Sequence, residues 1–577
     1  MTRDLLSRIR RDGAEPPAEH QRLDGAGRAR VATGHLRLMV LLGVFTVVFT
    51  AIAGRLTDVS VLNADTGRIA ARDGGARADG PGRAGIRDRN GLVLATNVPT
   101  RHLYARPRRI DHPARVARRL VAVLPSLDRH TVRAKLESGR AFVYVKRNLT
   151  PARVEAVNAL GNPALRFEKA ERRVYPRGRL ATHLLGLTDV DNRGIAGLEQ
   201  AYGERLREQH APLRLTLDAR VQSILRTELA RARETFKARG AAGVVLDVDS
   251  GAVRALVSLP DYDANRPGAV GPAARFNHAT LATYEMGSTF KLFNTAVALD
   301  NGVVGLRDGY DASQPLRVAS YTIHDFHAQD RWLSVPEILI HSSNIASAKM
   351  ARDVGTDRQR AFLADLGLLD TLPANLPELG EPQVPSPWRP INTMTIAYGH
   401  GVAVTPLHMA AGVAALVNGG TWHAPHFVKG ADTPAPRDVL SPATSDKMRR
   451  LMRLVVTKGT GGKAGAPGYI VGGKTGTAEK PGEAGDYGQT PLVSSFVGAF
   501  PMHDPEHVVF VLLDEPVGTE ATYGYATGGW TAAPVVRRFI ERAAPLLGVA
   551  PVSPDAPAVK EAVGLDVDVR RPEVASF

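Results

Sequence analysis

The chain has 577 residues, 44% of them hydrophobic, enough for packed cores in about two to four domains. It contains no cysteine, which excludes a thiol nucleophile, a disulfide framework and thiolate metal sites. The net charge is +15, yet no zinc finger, RNA-binding aromatic motif or other nucleic-acid module is recognisable.

In chain order, the first feature is LMVLLGVFTVVFTAIAG, Leu38 to Gly54. It is uncharged and 17 residues long, near the short end of the roughly 17–25 that span a bilayer. Arg3, Arg8, Arg10, Arg11, Arg22, Arg28, Arg30 and Arg37 precede it, and basic residues beside a first span keep that end in the cytoplasm. Ala51-Ile52-Ala53 has the form of a signal-peptide cleavage site. The long leader and the immediate Arg55-Leu56 favour a retained anchor instead. Residues 1–37 are therefore expected as a cytoplasmic tail and 38–56 as a transmembrane helix, with everything after Gly54 exported.

Ile69 to Gly82, IAARDGGARADGPG, reads as a linker or mobile loop. Between Thr66 and Thr150 there are 19 Lys/Arg against 6 Asp/Glu. Such a block fits an anionic surface or an acidic polymer, or simply a solvated Arg-rich face. Asn90-Gly91 before Leu92-Val93-Leu94 signals a tight turn leading into a strand, and Ala114 to Leu124 reads as a helix. The N-terminal module is placed at 57–212.

Near Leu213 the texture changes. LRLTLD is a short alternating strand, and Asp218 can cap a helix bearing Val221, Ile224, Leu225 and Leu229. AAGVVLDVDSGAVRALVSLP reads as a hairpin turning at Asp249-Ser250-Gly251. SSFVGAF and HVVFVLL are two late apolar strands, followed by a helix from about Ala532 to Leu547. This order predicts a mixed α/β domain over 213–549. Residues 550–577 are expected as a flexible C-terminal tail.

Three short motifs carry chemistry. In YEMGSTFK, Ser288 stands three residues before Lys291. A serine hydroxyl needs a base within hydrogen-bond reach, and a lysine one helical turn away serves if its pKa is lowered. Alone, the pair equally describes an ordinary helix start. HSSNIASAKMA supplies Ser342-Ser343-Asn344, and VGGKTGTAEK supplies Lys474-Thr475-Gly476-Thr477. Ser342 suits a proton relay, and Asn344 suits holding Lys291 and a substrate amide. Lys474 adds charge that lowers the Lys291 pKa and attracts a carboxylate, and Gly476 permits close approach to a strand edge. In isolation the second motif reads as a helix cap and the third as a turn. Together, in this order, they form the signature of penicillin-binding proteins and serine β-lactamases.

The chain resembles the class B penicillin-binding proteins over roughly Leu36 to Val549. RAGIRDRNGLVLATN, with Arg83, Asp88-Arg89-Asn90-Gly91 and Leu94-Ala95, is similar to the family's first motif stretch. Further matches are Arg173, Tyr175-Pro176, Gly186, Gly194 and Gly197-Leu198-Glu199, then Gly399, Gly401 and Thr405-Pro406, with His408 in place of the usual glutamine. LDEPVGTEATYGYATGGWTAAP and SFVGAFP look most like the cell-division transpeptidase of the FtsI type in its alphaproteobacterial form.

The resemblance implies a penicillin-binding, serine β-lactamase-like transpeptidase domain behind an elongated pedestal and a single N-terminal membrane helix. It implies Ser288 as acylated nucleophile, Lys291 as general base, and Ser342 and Asn344 as aids to proton transfer and positioning. Lys474, Thr475, Gly476 and Thr477 would form the substrate-binding strand, with the threonines and Lys474 on the carboxylate of a terminal D-alanine or a β-lactam. The N–H groups of Ser288 and Thr477 would form the oxyanion hole. It implies no cofactor and no metal. The implied partners are D-Ala-D-Ala stem peptides, β-lactams, the inner membrane, FtsW, and the FtsQ, FtsL, FtsB and FtsN proteins, with the catalytic domain in the periplasm. The alternatives are an elongation transpeptidase of the same family, a β-lactamase or carboxypeptidase, and a non-catalytic β-lactam sensor or scaffold. No acidic glycosyltransferase motif occurs between Arg55 and Pro212.

Overall fold

The computed structural model describes residues 82–209, 211–318, 321–480 and 491–566, together with the helical positions Met39, Gly43, Phe45, Thr46, Phe49 and Thr50. The predicted cytoplasmic tail, nearly all of the anchor at 38–56, the linker before Gly82 and the last residues of the tail lie outside the described residues. Among the described residues, no helix is long and apolar enough to cross a membrane.

The N-terminal module is built on β1 (Ile86–Arg87), β2 (Val93–Ala105), β3 (Val143–Leu149), β4 (Leu165–Val174) and β5 (Leu213–Arg214). β2 runs antiparallel to β1, β3 and β4, and β1 pairs in parallel with β5. The turn expected at Asn90-Gly91 is present. The Asp88 carboxylate accepts the N–H groups of Asn90 and Leu92, and Gly91 takes φ +92°, where glycine alone is unstrained. Helices α1 (Pro113–Val123) and α2 (Arg129–Leu136) cover the sheet with Leu120, Val132 and Leu136 against Leu103, Val145 and Leu149.

Several residues that carry the family resemblance form one buried lock. Glu199 accepts from the guanidinium Nε atoms of both Arg83 and Arg173 at 2.6 Å, and all three side chains are buried. Next to it, the backbone N–H of Gly197 donates to both oxygens of Glu378, at 3.1 and 3.2 Å. The carbonyl of Glu378 in turn accepts from Thr280 Oγ1 at 2.6 Å. The N-terminal module is thus tied into the segment that leads to Ser288.

The larger domain is a five-stranded antiparallel sheet between two helical layers. Its strands are β6 (Gly240–Asp247), β7 (Val253–Leu259), β8 (Gly472–Glu479), β9 (Leu492–Phe500) and β10 (His507–Asp514), in the spatial order β8-β9-β10-β6-β7. The central strand β10 shows why the run VVFVLL does not alternate with polar residues. Val509, Val511 and Leu513 pack with residues of α3 (Ala219–Thr235) and of the helix at Ala533–Leu547, among them Leu225, Leu229, Phe539 and Ile540. Val508, Phe510 and Leu512 belong to the core on the opposite face, with Phe293, Val413 and Leu416. A strand buried on both faces cannot alternate with polar residues.

The helices that bear on the site and its surroundings include α4 (Lys291–Asp300), α5 (Val335–His341), α6 (Asn344–Val354), α7 (Pro406–Val417), α8 (Pro442–Lys458), α9 (Ala533–Leu547) and α10 (Pro557–Val563). Asp218 caps α3 as expected, its carboxylate accepting from Arg220 N.

One expectation is corrected. The part of the C-terminal tail that is described, 550–566, is not loose. Val559 and Val563, four apart on α10, are buried in the main core. Arg450 on α8 donates to the carbonyls of Gly564 and Glu561 at 2.6 and 2.8 Å. The apolar pair and this arginine clip outweigh the Pro/Ala-rich composition that suggested disorder.

Candidate active site

Ser288 lies in the single 3-10 turn Gly287–Phe290, which runs directly into α4. Thr289 Oγ1 closes the turn on the carbonyl of Met286 at 2.9 Å. Phe290 and Phe293 anchor it in the core, their rings edge to face at 5.4 Å. Gly287 has φ +55°, and a side chain there would begin 2.4 Å from the carbonyl oxygen of Thr477. The glycine therefore lets the nucleophile turn press against the third motif. Gly399 braces it from the other side, its carbonyl accepting from Gly287 N at 3.2 Å.

Lys291 opens α4 and is fully buried, with its amine inside the cleft. Nζ lies 3.0 Å from Ser288 Oγ, 3.0 Å from Ser342 Oγ and 2.7 Å from Asn344 Oδ1, and also reaches the carbonyl of Ser342. Asn344 Nδ2 donates to the carbonyl of His324 at 3.0 Å, so it is the amide oxygen that faces Lys291. Ser342 ends α5 in a left-handed conformation, φ +59° and ψ +44°. That strained backbone turns both its hydroxyl and its carbonyl onto the lysine. Ser343 is the helix cap, accepting from Ala346 N at 3.1 Å. The cap is thus Ser343, while Ser342 and Asn344 are the residues that face Lys291.

The third motif is a strand and not a turn. Lys474-Thr475-Gly476-Thr477 sits in β8, the edge of the sheet, paired among the described residues only with β9. Lys474 is fully buried, and its Nζ donates to Ser342 Oγ at 3.0 Å. Gly476 backs against the carbonyl of Met286, 2.6 Å from where a Cβ would stand. The loop after β10 closes on the strand through Gly528 N and Thr477 Oγ1, 3.2 Å apart. All eight predicted site residues, Ser288, Lys291, Ser342, Asn344, Lys474, Thr475, Gly476 and Thr477, therefore meet in one cleft.

The electrostatics suit proton transfer. Among the described residues neither buried lysine has a carboxylate partner. Burial first and the charge of Lys474 second hold Lys291 well below the usual lysine range, while Asp325 opposes them. Burial pulls Lys474 down to about 7. The hydrogen-bond count agrees. Ser342 O and Asn344 Oδ1 can only accept, and they match the two N–H donors of a neutral amine. The lone pair is left to accept from a serine hydroxyl. Among the described residues no group of three or more His, Asp or Glu side chains is placed to hold a metal ion.

Sequence reasoning missed Asp325. Its carboxylate accepts from Ser343 Oγ at 2.7 Å and from the N–H groups of Asn344 and Ile345. It caps α6 and fixes the loop that presents Ser342 and Asn344. It lies in the irregular segment IHDFHAQD, with no spacing to reveal it.

A half-buried serine against a buried lysine of lowered pKa, beside a strand edge that carries a second buried lysine, is the arrangement that serine acyl transfer requires. The comparisons with known proteins agree. Residues 241–541 match the family model described as the penicillin binding protein transpeptidase domain, and 78–234 match the penicillin-binding protein dimerisation domain. A "Probable peptidoglycan D,D-transpeptidase FtsI" of Caulobacter vibrioides is 39% identical, over 83% of this chain and 84% of its own. "Stage V sporulation protein D" of Bacillus subtilis is 29% identical, over 91% and 88%. A peptidoglycan synthetase from Bifidobacterium adolescentis shares the fold with TM-score 0.66 at 23% identity, covering 83% of this chain and 97% of that one. The chain belongs to the class B penicillin-binding proteins, and it is a serine-type transpeptidase of that family.

Proposed function

We propose that this chain crosslinks peptidoglycan stem peptides at the division septum through a Ser288 acyl-enzyme, and that β-lactams acylate the same serine. The observation that carries the chemistry is the contact of buried Lys291 Nζ with Ser288 Oγ at 3.0 Å, within the reach a general base needs. The division role draws on the similarity to the Caulobacter FtsI protein. The anchored, exported placement draws on the apolar run after the Arg-rich leader.

In the first half-reaction Lys291 takes the Ser288 proton as Oγ attacks the penultimate D-alanine carbonyl. The oxyanion is held by the N–H groups of Ser288 and Thr477. Collapse breaks the amide bond. The leaving D-alanine nitrogen receives its proton from Lys291 through Ser342, and the acyl group remains as an ester on Ser288. An amine of a second stem then attacks that ester and gives its proton to the Ser342–Lys291 pair. Ser288 leaves with a proton returned from Lys291, and the crosslink is an amide. A β-lactam follows the first half only. Its leaving nitrogen stays tethered in the opened ring and obstructs the second amine.

Labelling with a fluorescent penicillin tests the chemistry. Ser288→Ala should abolish the covalent band and Lys291→Ala should nearly do so. Undiminished labelling of Ser288→Ala would refute the nucleophile. A rapid turnover of a chromogenic cephalosporin would point instead to a β-lactamase. Depletion in cells tests the division role: smooth filaments are expected, and round cells would assign the chain to elongation.

A further inference from the structure

Thr460 stands in the tight turn after α8, and the function described so far leaves it unused. Its hydroxyl lies 2.8 Å from Thr475 Oγ1. Thr475 is buried, whereas Thr460 beside it is exposed. The position is held from both sides. A Cβ on Gly529 would stand 2.9 Å from the carbonyl oxygen of Thr460 and 3.7 Å from Thr475 Cγ2. A Cβ on Gly459 would stand 3.0 Å from the carbonyl oxygen of Ile340, in the helix that ends at Ser342. The turn thus sits where α8, α5, the catalytic strand and the loop after β10 converge.

We infer that Thr460 is a third hydroxyl of the carboxylate-binding site, acting as one unit with Thr475. Given the transpeptidase reading above, the hydroxyl protons can be counted. Lys474 Nζ donates to Thr475 Oγ1 at 3.4 Å, so one acceptor position of that oxygen is taken. Two hydroxyls 2.8 Å apart share one proton between them. Whichever of the two donates, the other keeps its proton, and that proton has no acceptor recorded among the described residues. Thr477 Oγ1 accepts from Gly528 N–H, and its own proton likewise has no acceptor among the described residues. The cradle therefore presents two hydroxyl protons, one from the Thr460–Thr475 pair and one from Thr477, beside the charge of Lys474. A carboxylate has two oxygens and accepts only. Without Thr460, the Thr475 hydroxyl keeps only the longer contact from Lys474 Nζ to set its direction, and the second oxygen of the ligand loses its fixed donor.

The ligand class is a carboxylate attached to the leaving side of the scissile amide: the terminal residue of a stem peptide, or the ring carboxylate of a β-lactam. The test compares acylation by a penicillin and by its methyl ester, in the full-length protein and in its Thr460→Val and Thr460→Ser variants. Valine keeps the shape and removes the hydroxyl. Thr460→Val should slow acylation by the acid about tenfold, the scale of a lost hydrogen bond to a charged group, and leave the rate with the ester almost unchanged. Thr460→Ser should restore the preference for the acid. The ester rate of the same variant reports whether the nucleophile and the fold are intact. If Thr460→Val slows acid and ester equally, or slows neither, Thr460 plays no part in carboxylate recognition while the Ser288 assignment stands. If the unaltered protein acylates but does not prefer the acid, the carboxylate role of the whole Lys474–Thr477 strand falls, and this inference with it. Absence of any acylation in the unaltered protein would overturn both readings.

Discussion

Replacing Lys474 by methionine should shift the pH dependence of acylation toward alkaline pH. Lys291 and Lys474 both hydrogen-bond Ser342 Oγ at 3.0 Å, so their nitrogens are no more than about 6 Å apart. At that distance and an effective dielectric of about 20, two positive charges repel by about 3 kcal/mol. This repulsion is part of what keeps Lys291 neutral, with burial the larger cause. Without it, the neutral fraction of Lys291 falls by up to about a hundredfold where Lys474 is protonated, that is near and below pH 7, and by less above it. The assay is the second-order acylation rate measured by stopped flow from mildly acid to alkaline pH. A penicillin methyl ester is the reagent, because it lacks the carboxylate that Lys474 would otherwise attract. The acid limb of the profile should move to higher pH, with the alkaline plateau largely recovered. An unmoved limb, or one displaced to lower pH, would show that Lys474 does not tune the base.

Asp325→Asn should move the same limb the other way, because Asp325 is the charge that raises the Lys291 pKa. It should also slow acylation about 10- to 100-fold by loosening the Ser342–Asn344 loop, and a pH–rate profile reads both effects. Glu199→Gln leaves the buried Arg83 and Arg173 without their shared carboxylate. A loss of about 3–5 kcal/mol is expected in denaturant titrations. Arg450→Ala should release α10, seen as new proteolytic cleavage after Val549 with penicillin labelling retained. Protection equal to that of the unaltered protein would mean that Val559 and Val563 suffice to hold the segment.

The sequence was most legible where structure is local. The turn at Asn90-Gly91, the cap at Asp218 and the hairpin around Ser250 follow from residues a few positions apart, and each is found where expected. The three motifs were legible for another reason. Ser288, Ser342 and Lys474 are far apart in the chain, but each sits in a short pattern, and the three patterns in this order form a signature, although the third alone reads as a turn and is found as a strand. Asp325, Glu378 and Thr460 have no such pattern. Their partners Ser343, Gly197 and Thr475 lie on other elements, so the contact exists only once the chain is folded. The tail was misread because composition was weighed over spacing: Val559 and Val563 are one helical turn apart and face the core together.

The site also sets a limit on the stability of the fold. Lys291 and Lys474 are fully buried with no carboxylate in contact among the described residues. Their desolvation is not repaid by ion pairing, and appears instead as lowered pKa values. For Lys474 the sign is definite. The folded state titrates at about 7 against 10.5 for an ordinary lysine, so between those values the unfolded chain binds the extra proton. This group therefore destabilises the fold most at neutral pH and below, and its penalty fades as pH rises toward 10.5. Lys474→Met removes the penalty, so the variant should be more stable than the unaltered protein at neutral pH by several kcal/mol. The difference should shrink steadily toward alkaline pH. The same substitution thus improves the fold and impairs the acylation, which is the expected mark of a residue kept for its charge and not for its packing.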